Sequence, residues 1–213
     1  MTGADLLEQL GRSRDLGFLG DGPLEQHVEQ SSVLLAAIAD LTTAPSHAHR
    51  LLDLGSGGGV PGLIAVADGR WARVDLLDRS VRRCAFLRSA LAAVRSSLVV
   101  RSDVLPGVAE VLGRDAELRE TYGAVMCRSF GPPAATLECA SAFAAIGGVV
   151  AVTDPPGGRA WPRDVPQLGL RRELSRADTP AFTIYRKHAA LGAHYPRREG
   201  VPVRRPLFDG SGR

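Results

Sequence analysis

A carboxylate standing two residues ahead of a run of glycines is the feature of this chain best able to do chemistry. The segment reads Asp53-Leu54-Gly55-Ser56-Gly57-Gly58-Gly59-Val60-Pro61-Gly62. Glycines between a strand end and a helix start let the backbone approach a ligand where any Cβ would collide. Gly57-x-Gly59-x-x-Gly62 satisfies the dinucleotide fingerprint, and Asp78 lies near the distance at which that fingerprint places a ribose contact. Asp53 argues the other way. Beside a pyrophosphate it would oppose like charge in a poorly solvated site, whereas beside a cationic ligand it would be favourable.

S-adenosylmethionine is such a ligand, with an ammonium at its methionine end and a positive sulfonium. Asp53-x-Gly55-x-Gly57 is similar to the glycine pattern of class I methyltransferases. Two further acids suit the same molecule. Asp78 closes the run Val74-Asp75-Leu76-Leu77-Asp78, where a carboxylate can accept hydrogen bonds from both ribose hydroxyls. Asp103 follows the next apolar run, where an acid can accept from the adenine amino group. A nucleoside bound by these acids would lie outside the carboxyl ends of parallel strands, where strand order reverses. The alternative from another class is an NAD-dependent oxidoreductase.

The elements that must position these residues are legible from periodicity. Residues 3–12 and 24–41 read as helices, the second with Val28, Val33, Leu34, Leu35, Ile38 and Leu41 at helical spacing. Thr42 to His49, with Pro45, reads as a linker. A βα alternation follows, with strands expected at 51–54, 74–77, 98–100, 124–127 and 148–153. Helices are expected at 61–67, at 80–94 (Val81, Cys84, Ala85, Leu87, Ala90, Leu91 and Val94 on one face), and at 133–145. Segments 170–174 and 182–185 read as a closing pair of strands. The expected fold is α/β and Rossmann-like: a mostly parallel seven-stranded sheet with helices on both faces and a short N-terminal helical extension. The expected divisions are 1–45 for that extension, 46–190 for the ligand-binding domain and 191–213 for a basic tail.

Composition bounds the rest. The chain has 213 residues, 45% hydrophobic and 23% charged, enough for one domain with a buried core. No apolar run approaches the ~20 residues of a membrane helix. The N-terminus has no basic region leading into an apolar one, so a cytoplasmic protein is expected. Cys84, Cys127 and Cys139 are widely spaced and include no Cys-x-x-Cys pair, which predicts neither a disulfide framework nor a metal site. The net charge of +3 is modest, but arginines concentrate near the end at Arg197, Arg198, Arg204, Arg205 and Arg213. Such a segment is an electrostatic footprint for phosphate, or else a solvated tail.

Four segments resemble one family, the 16S ribosomal RNA guanine-N7 methyltransferases, also called glucose-inhibited division protein B. They are Asp53 to Gly62 with its Pro-Gly ending; Leu77-Asp78 with Arg82-Arg83 and Phe86-Leu87-Arg88; Arg128-Ser129-Phe130-Gly131; and Tyr195-Pro196-Arg197-Arg198-x-Gly200-x-Pro202-x-Arg204-Arg205-Pro206-Leu207. The resemblance implies S-adenosylmethionine as cofactor and 16S ribosomal RNA or the small ribosomal subunit as partner. It places Gly55, Gly57 and Val60 against the cofactor and Ser102 and Asp103 near the adenine. Arg128 would stand at the mouth of the cofactor cleft, as the catalytic residue and as a cofactor contact. The chain departs from the family in keeping only His27 and Ser31 of a His-x-x-Asp-Ser stretch. It also carries Thr153-Asp154-Pro155-Pro156 where a lysine-glycine is usual.

Other features carry less. Asp154-Pro155-Pro156-Gly157 lacks the aromatic residue that would stack on a flipped base, and reads as a rigid turn. Cys127 lacks the Pro-Cys context of a nucleophile and reads as a small buried side chain. His188 and His194 have no partners at metal-ligand spacing. Guanine N7 carries a free lone pair, so its methylation needs proximity and orientation rather than a base. A catalytically silent RNA-binding relative would show the same lack of a base.

Overall fold

β1 (Arg50–Leu54) takes the middle of the sheet because every residue after Arg50 is apolar or, as Asp53, held without solvent, and all four are buried. A strand covered on both faces requires such a run. It pairs in parallel with β2 (Arg73–Asp78) on one side and β4 (Tyr122–Cys127) on the other. The computed structural model describes residues 3–42, 50–94, 100–154 and 160–208. The strand order is β3-β2-β1-β4-β5-β8-β7-β6. β3 (Arg101–Pro106) and β5 (Ala144–Thr153) complete the parallel part. β8 (Phe182–Lys187), β7 (Leu170–Arg176) and β6 (Asp164–Val165) continue it antiparallel.

Strand residues alternate between two cores. Leu51, Val74, Ala124 and Val149 face one layer with α1 (Gly3–Asp15), α2 (Leu24–Leu41), α3 (Gly62–Asp68) and α4 (Val81–Ala93). Leu52, Leu77, Val125 and Val150 face the other, which holds α5 (Ala109–Leu112) and α6 (Pro133–Phe143). Leu6, Leu10, Leu34, Leu35 and Ile38 of the first two helices are buried in the same cluster as the strands.

The sheet has eight strands rather than the expected seven. The addition, β6, is two residues long and begins with an aspartate, so no periodicity could announce it. The third strand also lies later than expected. Residues 98 and 99 are outside the described residues, and β3 runs over Arg101–Pro106 with Asp75 opposite Asp103. As an edge strand β3 is half solvated, which permits a polar sequence and a terminal proline. In α4, Phe86 is buried while Val81 and Ala85 are exposed. The linker beyond Thr42 and the Pro155-Pro156-Gly157 turn fall outside the described residues.

Leu35→Ala tests whether the N-terminal helices belong to the core. Loss of this fully buried side chain should cost about 2–5 kcal/mol. Thermal denaturation should show it as a lower Tm, by roughly 2–4 °C per kcal/mol. A change within experimental error would detach those helices from the cooperative unit.

Candidate active site

The loop after β1 is shaped by its own backbone. The N–H groups of Gly55 and Ser56 both donate to the Leu77 carbonyl, at 2.8 and 2.9 Å, which ties the loop to the end of β2. Gly55, Gly57 and Gly59 adopt φ of +78°, +53° and +91°, a region that side chains rarely enter. The Ser56 hydroxyl donates to the Asp53 carbonyl at 2.9 Å. A second partner reaches the loop from the N-terminal region. The Ser13 hydroxyl, at the end of α1, donates to the Gly58 carbonyl at 2.8 Å, and a Cβ on Gly58 would strike Ser13 and Phe18.

Asp53 does not face open space. Its Oδ2 accepts the Gly62 N–H at 3.0 Å, so the carboxylate braces the start of α3 against the end of β1. Burial pushes its carboxyl up to about 7, against the hydrogen bonds of Ser56 and Gly62 and the positive field of Arg128. Asp78, by contrast, lines a cavity. Its Oδ2 accepts the Gly57 N–H at 2.8 Å and its Oδ1 the Ser80 N–H at 2.8 Å, leaving carboxylate lone pairs for a ligand.

That cavity, about 250 Å³, opens at the carboxyl ends of the strands. Gly55, Asp78, Gly107, Ala109 and Phe130 contribute to it. Phe130, which no spacing in the sequence marks as a site residue, lies with its ring against Gly55, where any Cβ would meet it at 2.7 Å. Ser129, also at the cavity, holds φ of +54°, and this unusual conformation is placed where β4 turns towards α6.

Of the expected cofactor positions Gly55 and Asp78 line the cavity, whereas Asp53, Gly57, Val60, Ser102, Asp103 and Arg128 do not. Val60 is buried in the core beneath the loop and does not line the cavity. Ser102 and Asp103 sit within β3, paired with Val74 and Asp75. They are strand residues rather than strand-end residues because β3 begins at Arg101 and ends at Pro106. The cavity is therefore bordered by Gly107 and Ala109 on that side. Asp53 supports the loop from behind.

Arg128 follows the last residue of β4, half-buried. Its Nη2 lies 3.0 Å from His27 Nδ1 on α2. Burial and the Arg128 charge both lower the His27 pKa, so the ring is neutral and its Nδ1 accepts the guanidinium N–H. The truncated motif His27-x-x-x-Ser31 was the only sign of this pairing in the sequence.

The C-terminal arginines are not all free for phosphate. Arg197 pairs with the fully buried Glu138, its Nη2 at 2.6 Å from Oε2, and a helical turn, α7 (Val201–Arg204), follows. Pro202 is buried within α7. Val203 lines the cavity, so the segment does not lie apart from it.

The model of the rRNA small subunit methyltransferase G family matches residues 24–153. The chain belongs to this family. Ribosomal RNA small subunit methyltransferase G of Symbiobacterium thermophilum is 29% identical over 216 residues, covering 95% of this chain and 87% of that protein. Its namesake from Moorella thermoacetica is 29% identical, with 85% and 77% covered. Among solved structures, an O-methyltransferase from Bacillus cereus in complex with S-adenosylhomocysteine superposes with TM-score 0.60 at 15% identity, covering 87% of this chain and 91% of that one. A putative methyltransferase from Escherichia coli, yhhF, gives 0.55 at 16%, with 76% and 87% covered. Those two likenesses show the class I methyltransferase fold. Gly55 of the glycine loop and the Asp78 carboxylate both line the cavity, and a carboxylate there can accept hydrogen bonds from a ligand. The oxidoreductase alternative falls with the family assignment.

Two outcomes test the acids. Asp78→Asn should weaken S-adenosylmethionine and S-adenosylhomocysteine alike by roughly 10- to 150-fold, since both carry the ribose. Calorimetry showing only one of them weakened would mean that Asp78 reads something other than the sugar. Asp53 ionises at about 7 in the folded chain against 3.8 ordinarily. The unfolded chain gives up this proton first, so its contribution to stability is present below about pH 4 and is lost as pH rises to 7. Denaturant titrations should show that Asp53→Asn flattens this fall, by a few kcal/mol at most. An unaltered pH profile would refute the raised pKa.

Proposed function

We propose that this methyltransferase transfers the methyl group of S-adenosylmethionine to N7 of a guanine in 16S ribosomal RNA, as RNA or within the small ribosomal subunit. The observation that carries this reading is Arg128. Its guanidinium stands at the end of β4 with a neutral histidine, not a carboxylate, as its hydrogen-bond partner among the described residues. Donors therefore remain for a neutral acceptor, and guanine O6 is such an acceptor.

When bound, S-adenosylmethionine supplies an electrophilic methyl group. The chain's own part is to hold and to orient. Asp78 accepts from the ribose hydroxyls, and the glycine loop admits the nucleoside close to the backbone. Arg128 donates to O6 and leaves N7 unencumbered. His27 and the field of Asp53 fix the guanidinium between them. Phe130 walls the cavity beside Gly55 and excludes water. Since N7 needs no deprotonation, alignment is the principal requirement. The exposed Arg82, Arg88, Arg198 and Arg205 contact phosphates and set the register of the RNA.

Radiolabelled S-adenosylmethionine offered to undermethylated 16S RNA and to small subunits should label one guanine at N7. Arg128→Ala should lower kcat/KM by roughly 10- to 100-fold while S-adenosylhomocysteine affinity changes little. Label on another atom, or on neither substrate, would refute the reading.

A further inference from the structure

Three attachments fix the segment from Arg197 to Arg204, and each lands on an element that borders the cavity. Arg197 donates its backbone N–H to Glu138 Oε1 at 2.7 Å and grips both carboxylate oxygens with its guanidinium. Glu138 lies on α6, whose Ala135 and Cys139 line the cavity. The Gly200 N–H donates at 3.0 Å to Glu110, itself a lining residue. Arg79, another lining residue, stands 3.8 Å from the Glu199 carboxylate.

Held this way, the segment has two different sides. Val203 enters the cavity lining yet remains 55% exposed, an apolar side chain standing open at the rim. Arg198 and Arg205 are exposed, with no carboxylate partner among the described residues. Arg204 reaches only the Glu199 carbonyl, at 3.3 Å.

We propose that this segment is a shared wall: Val203 on its inner side completes the cofactor site, and Arg198, Arg204 and Arg205 on its outer side take RNA phosphates. Binding of RNA and binding of cofactor are then linked through it. The idea rests on RNA being the substrate. Both ligands bear on this one docked segment, so a ligand that holds it against the domain favours the other, and the linkage is positive and reciprocal.

The test measures S-adenosylhomocysteine binding to the full chain by calorimetry, with and without 16S RNA at fixed salt. RNA should tighten wild-type binding about fivefold or more. Val203→Gln, at a surface position that folding tolerates, should weaken S-adenosylhomocysteine about tenfold without RNA, with Tm unchanged. The triple variant Arg198→Gln, Arg204→Gln, Arg205→Gln should bind S-adenosylhomocysteine normally in the absence of RNA and lose the RNA-induced tightening. Its slope of log RNA affinity against log salt should also fall by about 0.7–0.9 per lost contact. Wild-type affinity in Val203→Gln, or full tightening in the triple variant, would overturn the proposal. A wild-type chain that binds S-adenosylhomocysteine but no RNA overturns the RNA reading and the linkage with it. RNA binding without tightening overturns the linkage alone.

Discussion

One hydrogen bond, from the Gly62 N–H to the Asp53 carboxylate, holds the geometry of the site together. It fastens the end of the central strand to the beginning of α3, and the intervening residues have to turn within the span that it leaves. Gly62 cannot carry a side chain there, since a Cβ would meet the carboxylate itself. The three glycines of positive φ follow from the same constraint: the chain must turn sharply and then offer its N–H groups to Leu77 and Asp78. An acid with this task costs the fold some stability when ionised. The nearby guanidinium of Arg128 offsets part of that cost.

The periodicity of apolar residues was enough for the parallel sheet and its covering helices, because buried strands demand uninterrupted apolar runs. It failed at the edges, where β3 and β6 answer to solvent and partner strands rather than to a core. The site divided along a similar line. Asp78 closes β2 and lines the cavity, and its place at a strand end was legible from the apolar run before it. Ser102 and Asp103 were misplaced with their strand, and Val60 was taken for a ligand contact although its side chain turns into the core. Phe130 and His27 act through distant partners, Gly55 and Arg128, and no local spacing encodes such a meeting.

Residues from both the N-terminal helices and the C-terminal segment reach the elements around the cavity. Ser13 grips the glycine loop, His27 steadies Arg128, and Arg197 binds a buried acid on α6. A buried carboxylate such as Glu138 would be strongly unfavourable without a paired cation. Its partner therefore comes from the segment that must be docked for the cavity to be complete. The arginine-rich stretch thus serves first as structure, and only its outward residues remain for nucleic acid.

The placement of α2 has a consequence for synthesis on the ribosome. Leu35 and Ile38 are buried in one cluster with Val149, Phe182 and Ile184. These partners follow roughly 110 to 150 residues later, and at about 5–20 residues per second they emerge some 5 to 30 seconds after the helix does. During that interval the apolar stripe of α2 has no native cover from the distal strands. A nascent chain of this design is open to chaperone capture until its last antiparallel strand is in place.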